Sequence, residues 1–371
     1  MSETPFKSFF MGGFECSSHR DHRGRRLDLI AATRHDEFAE KDYTRMMEIG
    51  MLTARDGLRW HLIEKEPFKY DFSSAQQQIQ AARATGIQIV WDYFHYGFPE
   101  DLDIFGEHFI ERFASFATEV TRYLTDELGK ELIVCPVNEI SFFSWIAGSV
   151  GQFYPGTRRR GLTLKRQLVR AAAAAIDAIK NANPATRFVA TDPAINVVAE
   201  KDSPNAKKAA ESYRKAQFQA FDMLAGIVEP ELGGKREYLD ILGLNYYFHN
   251  QWTHPSREKI PLGHQKYRPL DEILAEFHER YDRPLVITET GIEDDERRDW
   301  FRYVCERVRV ARRADVEIQG VCLYPIVNHP GWADDRHCHN GLWDYADDDG
   351  CRQIYQPLGD EIIWQQRRNE R

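Results

Sequence analysis

The stretch PLVITETG, residues 284–291, joins a short apolar run to a single carboxylate and a glycine. Residues 285–288 are apolar or β-branched, which is typical of a strand covered on both faces. Glu289 would then stand at the carboxyl end of that strand, where parallel sheets and barrels keep their ligands. A carboxylate beside a buried strand is costly unless it is paired or used in chemistry. Glu289 is therefore a candidate functional residue that needs partners.

The same alternation of a short apolar run and a longer helical pattern repeats along the whole chain. The predicted strands are Phe9–Phe14, Met51–Ala54, Ile87–Tyr93, Leu132–Val137, Arg187–Thr191, Leu239–Leu244, Leu285–Thr288 and Ile318–Leu323. The predicted helices are Asp36–Ile49, Ser74–Thr85, Ile104–Leu124, Leu164–Asn181, Ala206–Ile227, Leu270–Tyr281, Arg297–Arg313 and a last one near Gly359–Gln366. This order predicts an α/β fold, a (β/α)8 TIM barrel.

No linker or change of composition divides the chain, so residues 1–371 are expected to form a single barrel domain. A doubly wound sheet is the alternative architecture, but no Gly-x-Gly-x-x-Gly follows any predicted strand. A hydrophobic content of 42% with 29% charged residues predicts a soluble globular protein. The net charge of -9 argues against nucleic-acid binding. No apolar run approaches the roughly 20 residues of a membrane span, and no signal peptide is recognisable, so a cytoplasmic location is expected.

Polar side chains follow the predicted strands, and in a parallel barrel they converge on one mouth. They are Glu15, Arg55, His95, Asn138, Glu139, Asp192, Asn245, Tyr247, Glu289 and, beyond strand eight, Trp332. Glu139 on strand four and Glu289 on strand seven would face each other. Two opposed carboxylates are what glycoside hydrolysis needs, one to protonate the leaving oxygen and one to attack or stabilise the anomeric centre. His, Asn and Arg suit sugar hydroxyls, and an indole suits a sugar face.

Several of these residues have simpler interpretations when taken singly. Arg55 could be a core counter-ion, although the counter-ion of a nucleophilic carboxylate also has a catalytic role. His95 alone could be an ordinary loop histidine, and Asp192 precedes Pro193, which suits a turn. Asn245 and Tyr247 are two positions apart, so both can face the mouth while the tyrosine between them packs elsewhere.

Five segments carry a resemblance to a known family. Val137-Asn138-Glu139 and Ile287-Thr288-Glu289-Thr290-Gly291 resemble the acid/base and nucleophile motifs of clan A retaining glycoside hydrolases. The Arg55…Trp60 pair, the loop His95-Tyr96-Gly97-Phe98-Pro99 and Gly243-Leu244-Asn245-Tyr246-Tyr247 resemble glycoside hydrolase family 1, the β-glucosidases. The resemblance extends from strand one to strand eight, and the combination is far more specific than any one segment.

The resemblance implies a role for each residue at the predicted mouth. Glu289 would be the nucleophile and Glu139 the general acid/base of a β-glycosidase. Arg55 and Tyr247 would hold and orient Glu289. The implied substrate-binding residues are Glu15 at the place of a glycone-binding glutamine, His95, Asn138 at the sugar 2-hydroxyl, Asn245, and Trp332 as a stacking floor.

The chain also departs from that family. It is shorter than expected of that family by about 80 residues or more, and residues 324–332 are not followed by the usual Glu-Trp pair that binds sugar hydroxyls. The cluster His337-Cys338-His339, together with Cys16, His19 and His22, matches no standard zinc spacing, so no metal and no cofactor are expected. The expected partner is a β-glycoside. Two alternative functions remain open: a carbohydrate-binding barrel with little hydrolytic activity, and a transglycosidase that uses the same two carboxylates.

Overall fold

The structure is a computed structural model that describes residues 4–369. Its core is a closed barrel of eight parallel strands in chain order, with the last strand paired to the first. The strands are β1 (Phe10–Gly13), β2 (Thr53–Gly57), β3 (Gln88–Asp92), β4 (Ile133–Cys135), β5 (Arg187–Pro193), β6 (Ile241–Asn245), β7 (Leu285–Thr290) and β8 (Ile318–Leu323). The predicted (β/α)8 barrel is confirmed.

Long helices surround the barrel, and shorter helices lie within the segments that connect its strands. The α-helices are Leu29–Ala32, His35–Glu48, Trp60–Ile63, Gln76–Thr85, Glu107–Leu128, Ile140–Trp145, Gly161–Ala182, Pro204–Lys215, Gln219–Leu224, Leu270–Tyr281, Arg297–Arg313 and Gln356–Asn369. Short 3-10 turns cover Phe72–Ser74, Ala216–Phe218, Pro230–Leu232, Arg236–Tyr238 and Asp294–Glu296, and a π-helical turn covers Ile146–Val150. The long helices bury an apolar stripe at helical spacing, as Phe109, Phe113 and Phe116 illustrate.

Two layers of apolar side chains follow from the alternation of residues along each strand. The inner layer fills the barrel and includes Met11, Val90, Ile241 and Val286. The outer layer packs the strands against the helices. Cys135, Cys305 and Cys322 are free and buried, and each packs as a small apolar side chain.

Four strands, β2, β5, β6 and β7, extend further at their carboxyl ends than the sequence predicts, and the extensions of β2 and β7 carry Arg55 and Glu289. Arg55 lies in the middle of β2 rather than after it, and Glu289 lies inside β7. The reason is backbone pairing: Arg55 is in register with Val90 of β3, and Glu289 with Asn245 of β6. A polar side chain can occupy a buried strand when it points to the barrel mouth and finds hydrogen-bond partners there.

The predicted long helix Ala206–Ile227 is wrong. The chain instead forms Pro204–Lys215, a 3-10 turn and Gln219–Leu224. The two halves pack on different partners: Ala210 belongs to a satellite cluster with Val197, whereas Phe221 belongs to the main core. Because the helix is interrupted, residues 204–224 can pack against both the satellite cluster and the main core.

Three small sheets in the loops were not predicted from the sequence. Asn196–Ala199 pairs in parallel with Gln251–His254. Two antiparallel pairs follow β8, His329–Pro330 with His337–Cys338 and Trp343–Ala346 with Arg352–Ile354. All follow strand ends on the carboxyl side of the barrel, so they build walls around its mouth.

Candidate active site

Glu289 is buried one residue before the end of β7. Arg55 Nη1 donates to its Oε1 at 2.7 Å, and the Tyr247 hydroxyl donates to its Oε2 at 2.8 Å. A Cβ at Gly291 would lie 2.5 Å from the backbone oxygen of Tyr324, so glycine is what lets the chain after β7 pass so close to β8. The carboxylate is therefore held by a cation from β2 and by a phenol from the loop after β6.

Arg55 is the buried cation that joins these strand ends, and only 1% of it is exposed. Its Nε and Nη2 donate to the two oxygens of Asp92 at 3.0 and 2.7 Å, and Nη2 also donates to Asn138 Oδ1 at 2.8 Å. Such a bidentate, charge-assisted pair fixes the plane of the guanidinium group. Burial raises the pKa of Asp92, but Arg55 and His95 lower it by more, so Asp92 is ionised.

Asp92 also determines the proton positions around His95. Its Oδ2 lies 2.8 Å from His95 Nδ1, and an ionised carboxylate only accepts, so Nδ1 carries the proton. His95 Nε2 then accepts from Asn138 Nδ2 at 3.0 Å. The same amide nitrogen donates to the Tyr96 hydroxyl oxygen at 3.1 Å. Every polar atom of the Asn138 side chain is thus used within the protein.

Glu139 precedes the helix Ile140–Trp145 with a left-handed backbone, φ 46°. This conformation costs a non-glycine residue about 1–3 kcal/mol and is concentrated at functional sites. The Tyr96 hydroxyl donates to its Oε2 at 2.6 Å, and Asn245 Nδ2 donates to its Oε1 at 2.9 Å. Thr288 Oγ1 donates to Asn245 Oδ1 at 2.7 Å, which fixes the orientation of that amide.

The two glutamates differ in the charge of their neighbours, and this separates their protonation. Burial raises the pKa of Glu139, and the negative charge of Glu289 raises it further. Burial also raises the pKa of Glu289, but the Arg55 cation opposes that rise. The hydrogen-bond donors to Glu139 in the described chain are neutral. A proton shared by the pair therefore resides on Glu139 and the negative charge on Glu289.

Glu139 and Glu289 line one cavity of about 740 Å³ at the barrel mouth. Four other predicted site residues line it as well: Glu15, His95, Tyr247 and Trp332. Glu15 Oε1 accepts from the Ser17 backbone at 2.9 Å and lies 3.9 Å from His95 Nε2.

Trp332 contributes an apolar wall to this cavity. Its indole meets the Tyr96 ring edge to face, with 6.2 Å between centroids. The Trp332 Nε1 is buried and has no hydrogen-bond partner in the described part of the chain.

Three predicted site residues lie behind the cavity wall rather than on it. Arg55, Asn138 and Asn245 are buried, and their polar groups bind other protein groups. The contacts of Asn138 and Asn245 with a sugar remain a prediction. Asp192 is also buried. Its Oδ1 accepts a hydrogen bond from the Ser141 backbone N–H at 2.9 Å, and burial raises the pKa of its carboxyl group to about 6.

Sequence reasoning missed two residues of the site, Asp92 and Tyr96. Asp92 carries the ion pair that holds Arg55, and Tyr96 carries the shortest hydrogen bond to Glu139. A signal existed for Asp92, because it is the lone carboxylate in the apolar run Ile87–Tyr93. The resemblance marks the loop that holds Tyr96, but nothing in the sequence shows that its hydroxyl reaches Glu139.

One group of possible metal ligands in residues 4–369 adjoins the site. Ligand atoms of Cys16, Asp92 and His95 lie within 4.8 Å of one another. Arg55 already neutralises Asp92, and a second cation there would be repelled. The group is better described as part of the hydrogen-bond network. The His337–His339 segment takes no part in it, and His337 Nε2 lies 2.8 Å from Asp344 Oδ1.

Comparison with known proteins gives a structural result only, because no family model and no curated protein matches the sequence. A family 1 β-glucosidase from Thermotoga maritima has a TM-score of 0.76 at 15% identity, covering 98% of this chain and 97% of that one. This chain has the family 1 β-glucosidase fold. The AHE enzyme from Alicyclobacillus herbarius has a TM-score of 0.80 at 17% identity, covering 98% of both chains.

A third solved structure is the virulence factor SghA from Agrobacterium tumefaciens, with a TM-score of 0.78 at 18% identity and 96% coverage of both chains. SghA has also been solved with its substrate analog salicin.

Within residues 4–369, no helix combines the length and apolarity that crossing a bilayer demands.

Proposed function

We propose that this protein is a retaining glycoside hydrolase that cleaves a β-glycosidic bond by double displacement. Glu289 is the nucleophile and Glu139 the general acid/base. The observation that carries the proposal is the unequal setting of the two carboxylates in one cavity: Arg55 is bonded to Glu289, whereas neutral groups bind Glu139. The fold shared with family 1 β-glucosidases supports the same reading.

In the first step the ionised Glu289 attacks the anomeric carbon while the Glu139 proton passes to the glycosidic oxygen. The bond to the aglycone breaks, and a glycosyl-enzyme ester forms on Glu289. Arg55 and Tyr247 keep the nucleophile oriented, so little reorganisation is needed as its charge is lost.

In the second step Glu139, now ionised, takes a proton from water as that water attacks the anomeric carbon. The ester breaks, Glu289 regains its charge, and the sugar leaves with its original configuration. The pKa of Glu139 falls during the cycle because neutral ester replaces the Glu289 carboxylate that had raised it.

The test is a panel of aryl β-glycosides that varies the sugar. We expect release of the phenol, and proton NMR is expected to show the β-anomer as the first product. An inverted first product, or no turnover of any β-glycoside, would contradict the proposal. Products formed with added alcohols measure how far transfer competes with hydrolysis.

The pH dependence of kcat/KM should show two limbs. Because Glu139 must be protonated, activity is expected at pH values below its raised pKa and falls as the pH rises through it. Because Glu289 must be ionised, activity also falls as the pH drops through its pKa. In Glu139→Gln, assayed with the same phenyl glycoside as the wild type, the residual activity should lose only the alkaline limb. An alkaline limb that persists in Glu139→Gln would assign that limb to another group.

Replacing Arg55 by methionine is expected to lower both stability and activity. The change leaves Asp92 and Glu289 buried without their cation, which costs about 3–5 kcal/mol in the free energy of unfolding. Urea denaturation measures this change. Arg55→Lys keeps the charge without the bidentate geometry, so it should unfold at a urea concentration between the other two. An Arg55→Met protein as stable as the wild type would show that the pair is not needed.

A further inference from the structure

The cavity has two chemically different halves. Its inner half, at the barrel mouth, carries Glu15, Glu139 and Glu289. The side chains that line the cavity from the helix Gly161–Ala182 and from residues 251–260, here called its outer half, include the cations Lys165, Arg257 and Lys259 and no carboxylate of the described chain. The aromatic rings of Trp145, Trp252 and Tyr213 line the same outer region. Negative and positive groups are therefore segregated along one cavity.

Two of the cations are presented by a loop hairpin. Trp252 and Lys259 form an antiparallel bridge, so their side chains share a face. Arg257 lies two positions from Lys259 and lines the cavity too, whereas Glu258 between them does not. The hairpin therefore turns its cations, and not its carboxylate, to the cavity.

Neither hairpin cation has a counter-ion in the part of the chain that the structure describes. Arg257 lies over the Trp145 ring at 5.4 Å from its centroid, and Lys259 over the Phe248 ring at 4.9 Å. A cation–π contact orders a side chain without cancelling its charge. Both cations thus remain available to an anion.

Lys165 is a stronger indication of an anion-binding site, because only 8% of its surface is exposed. Its Nζ donates to a neutral partner, Gln219 Oε1, at 2.9 Å. The charge of Asp192 acts on it, but no carboxylate of residues 4–369 lies within 4.0 Å of Nζ. An ammonium group that lines a cavity with so little exposure and no ion pair is costly unless a ligand supplies the missing charge.

The position of these cations relative to Glu139 indicates which part of a substrate they meet. Trp145, beneath Arg257, ends the helix that begins directly after Glu139. Glu139, as general acid, stands beside the departing oxygen. The outer half therefore receives the leaving group, and the inner half, with Trp332, receives the sugar.

We propose that the natural substrate is the β-glycoside of an aromatic carboxylate, whose ring packs on the outer aromatic side chains and whose carboxylate binds Arg257, Lys259 or Lys165. This inference rests on the proposed function for the reaction, and adds the chemical class of the aglycone. A planar carboxylate matches the bidentate geometry of arginine, and an aromatic ring matches the walls.

The test compares two phenyl β-glycosides with the same sugar, one with a carboxylate and one with a carboxamide at the same ring position. The pair has nearly the same shape, and the carboxamide is the better leaving group on electronic grounds. We expect kcat/KM to favour the carboxylate by about tenfold or more, which corresponds to about 1.4 kcal/mol. The preference should shrink between about 0.05 M and about 1 M NaCl, because salt screens exposed charges.

Arg257→Gln/Lys259→Gln should lower the preference for the carboxylate, and the triple variant that adds Lys165→Gln should abolish it. The matched control is Lys208→Gln, an exposed lysine outside the cavity, which should retain the preference. Calorimetry can compare the binding affinities of free 4-hydroxybenzoate and free 4-hydroxybenzamide. This comparison measures the same preference without turnover. It therefore still decides the inference if no glycoside is hydrolysed.

Preference for the carboxylate in turnover or binding, lowered in the double variant and lost in the triple variant, supports the inference. Turnover of the carboxamide glycoside without any preference overturns the inference and leaves the proposed hydrolase standing. Equal binding of the two free phenols, with no turnover of either glycoside, overturns both.

Discussion

Glu289→Gln is expected to reduce kcat by about 10⁴- to 10⁶-fold, the range seen when a catalytic nucleophile is removed. Glutamine is nearly isosteric but cannot form the glycosyl ester. It can still accept a hydrogen bond from Arg55 through its amide oxygen, so the fold should persist. Steady-state assays with the best aryl glycoside, together with far-UV circular dichroism, measure the two effects separately.

The matched control is Glu293→Gln, in the loop after β7. Glu293 pairs with Arg336 on the surface and lies outside the cavity, so its loss should leave kcat unchanged. If Glu289→Gln retained substantial turnover, the nucleophile would have to be another group, with Glu15 the remaining carboxylate of the cavity.

Glu139→Ala has the second largest expected effect, and it depends on the leaving group. Loss of general acid catalysis should cost about 10²- to 10⁴-fold with a poor leaving group such as unsubstituted phenol. A dinitrophenyl leaving group needs no proton, so the first step should be nearly unaffected. The glycosyl-enzyme should then accumulate, because no base activates water, and a burst of phenol precedes a slow steady state.

Azide supplies the second half of this test. It fits the space vacated by the glutamate and needs no base, so it should accelerate turnover and yield a β-glycosyl azide. Asp192→Asn is the control, since Asp192 is a buried carboxylate bonded to Ser141 and does not line the cavity. An α-glycosyl azide, or equal rescue of both variants, would contradict the role of Glu139.

Much of the fold was predictable because hydrophobic periodicity is a local property. The bounds of Leu270–Tyr281, Arg297–Arg313 and Ile318–Leu323 agree with the structure residue for residue. The break after Lys215 was not predictable, because it depends on which distant surface each half of the helix meets. Short loop strands such as Asn196–Ala199 likewise depend on partners far along the chain.

The site was predictable to the extent that strand ends of a barrel converge. That rule brought Glu15, Glu139 and Glu289 to one cavity, as the structure places them. That rule could not show which polar atoms are already hydrogen-bonded to other protein groups. From the sequence, Asn138 and Asn245 cannot be distinguished from residues that face a ligand. In the structure, the amide of Asn138 is hydrogen-bonded to Arg55 and His95. The amide of Asn245 is hydrogen-bonded to Thr288 and Glu139. Such saturation is a property of three-dimensional hydrogen bonding alone.

Covalent trapping tests the central claim most directly. A 2-deoxy-2-fluoro β-glycoside with a dinitrophenyl leaving group forms the glycosyl-enzyme readily but releases it slowly, because the fluorine destabilises the oxocarbenium-like transition state. Mass spectrometry of the intact protein should show addition of one fluorosugar, and peptide fragmentation should place it on Glu289 within the stretch 284–291. Labelling of a different residue, or phenol release with no covalent adduct, would contradict a double displacement through Glu289.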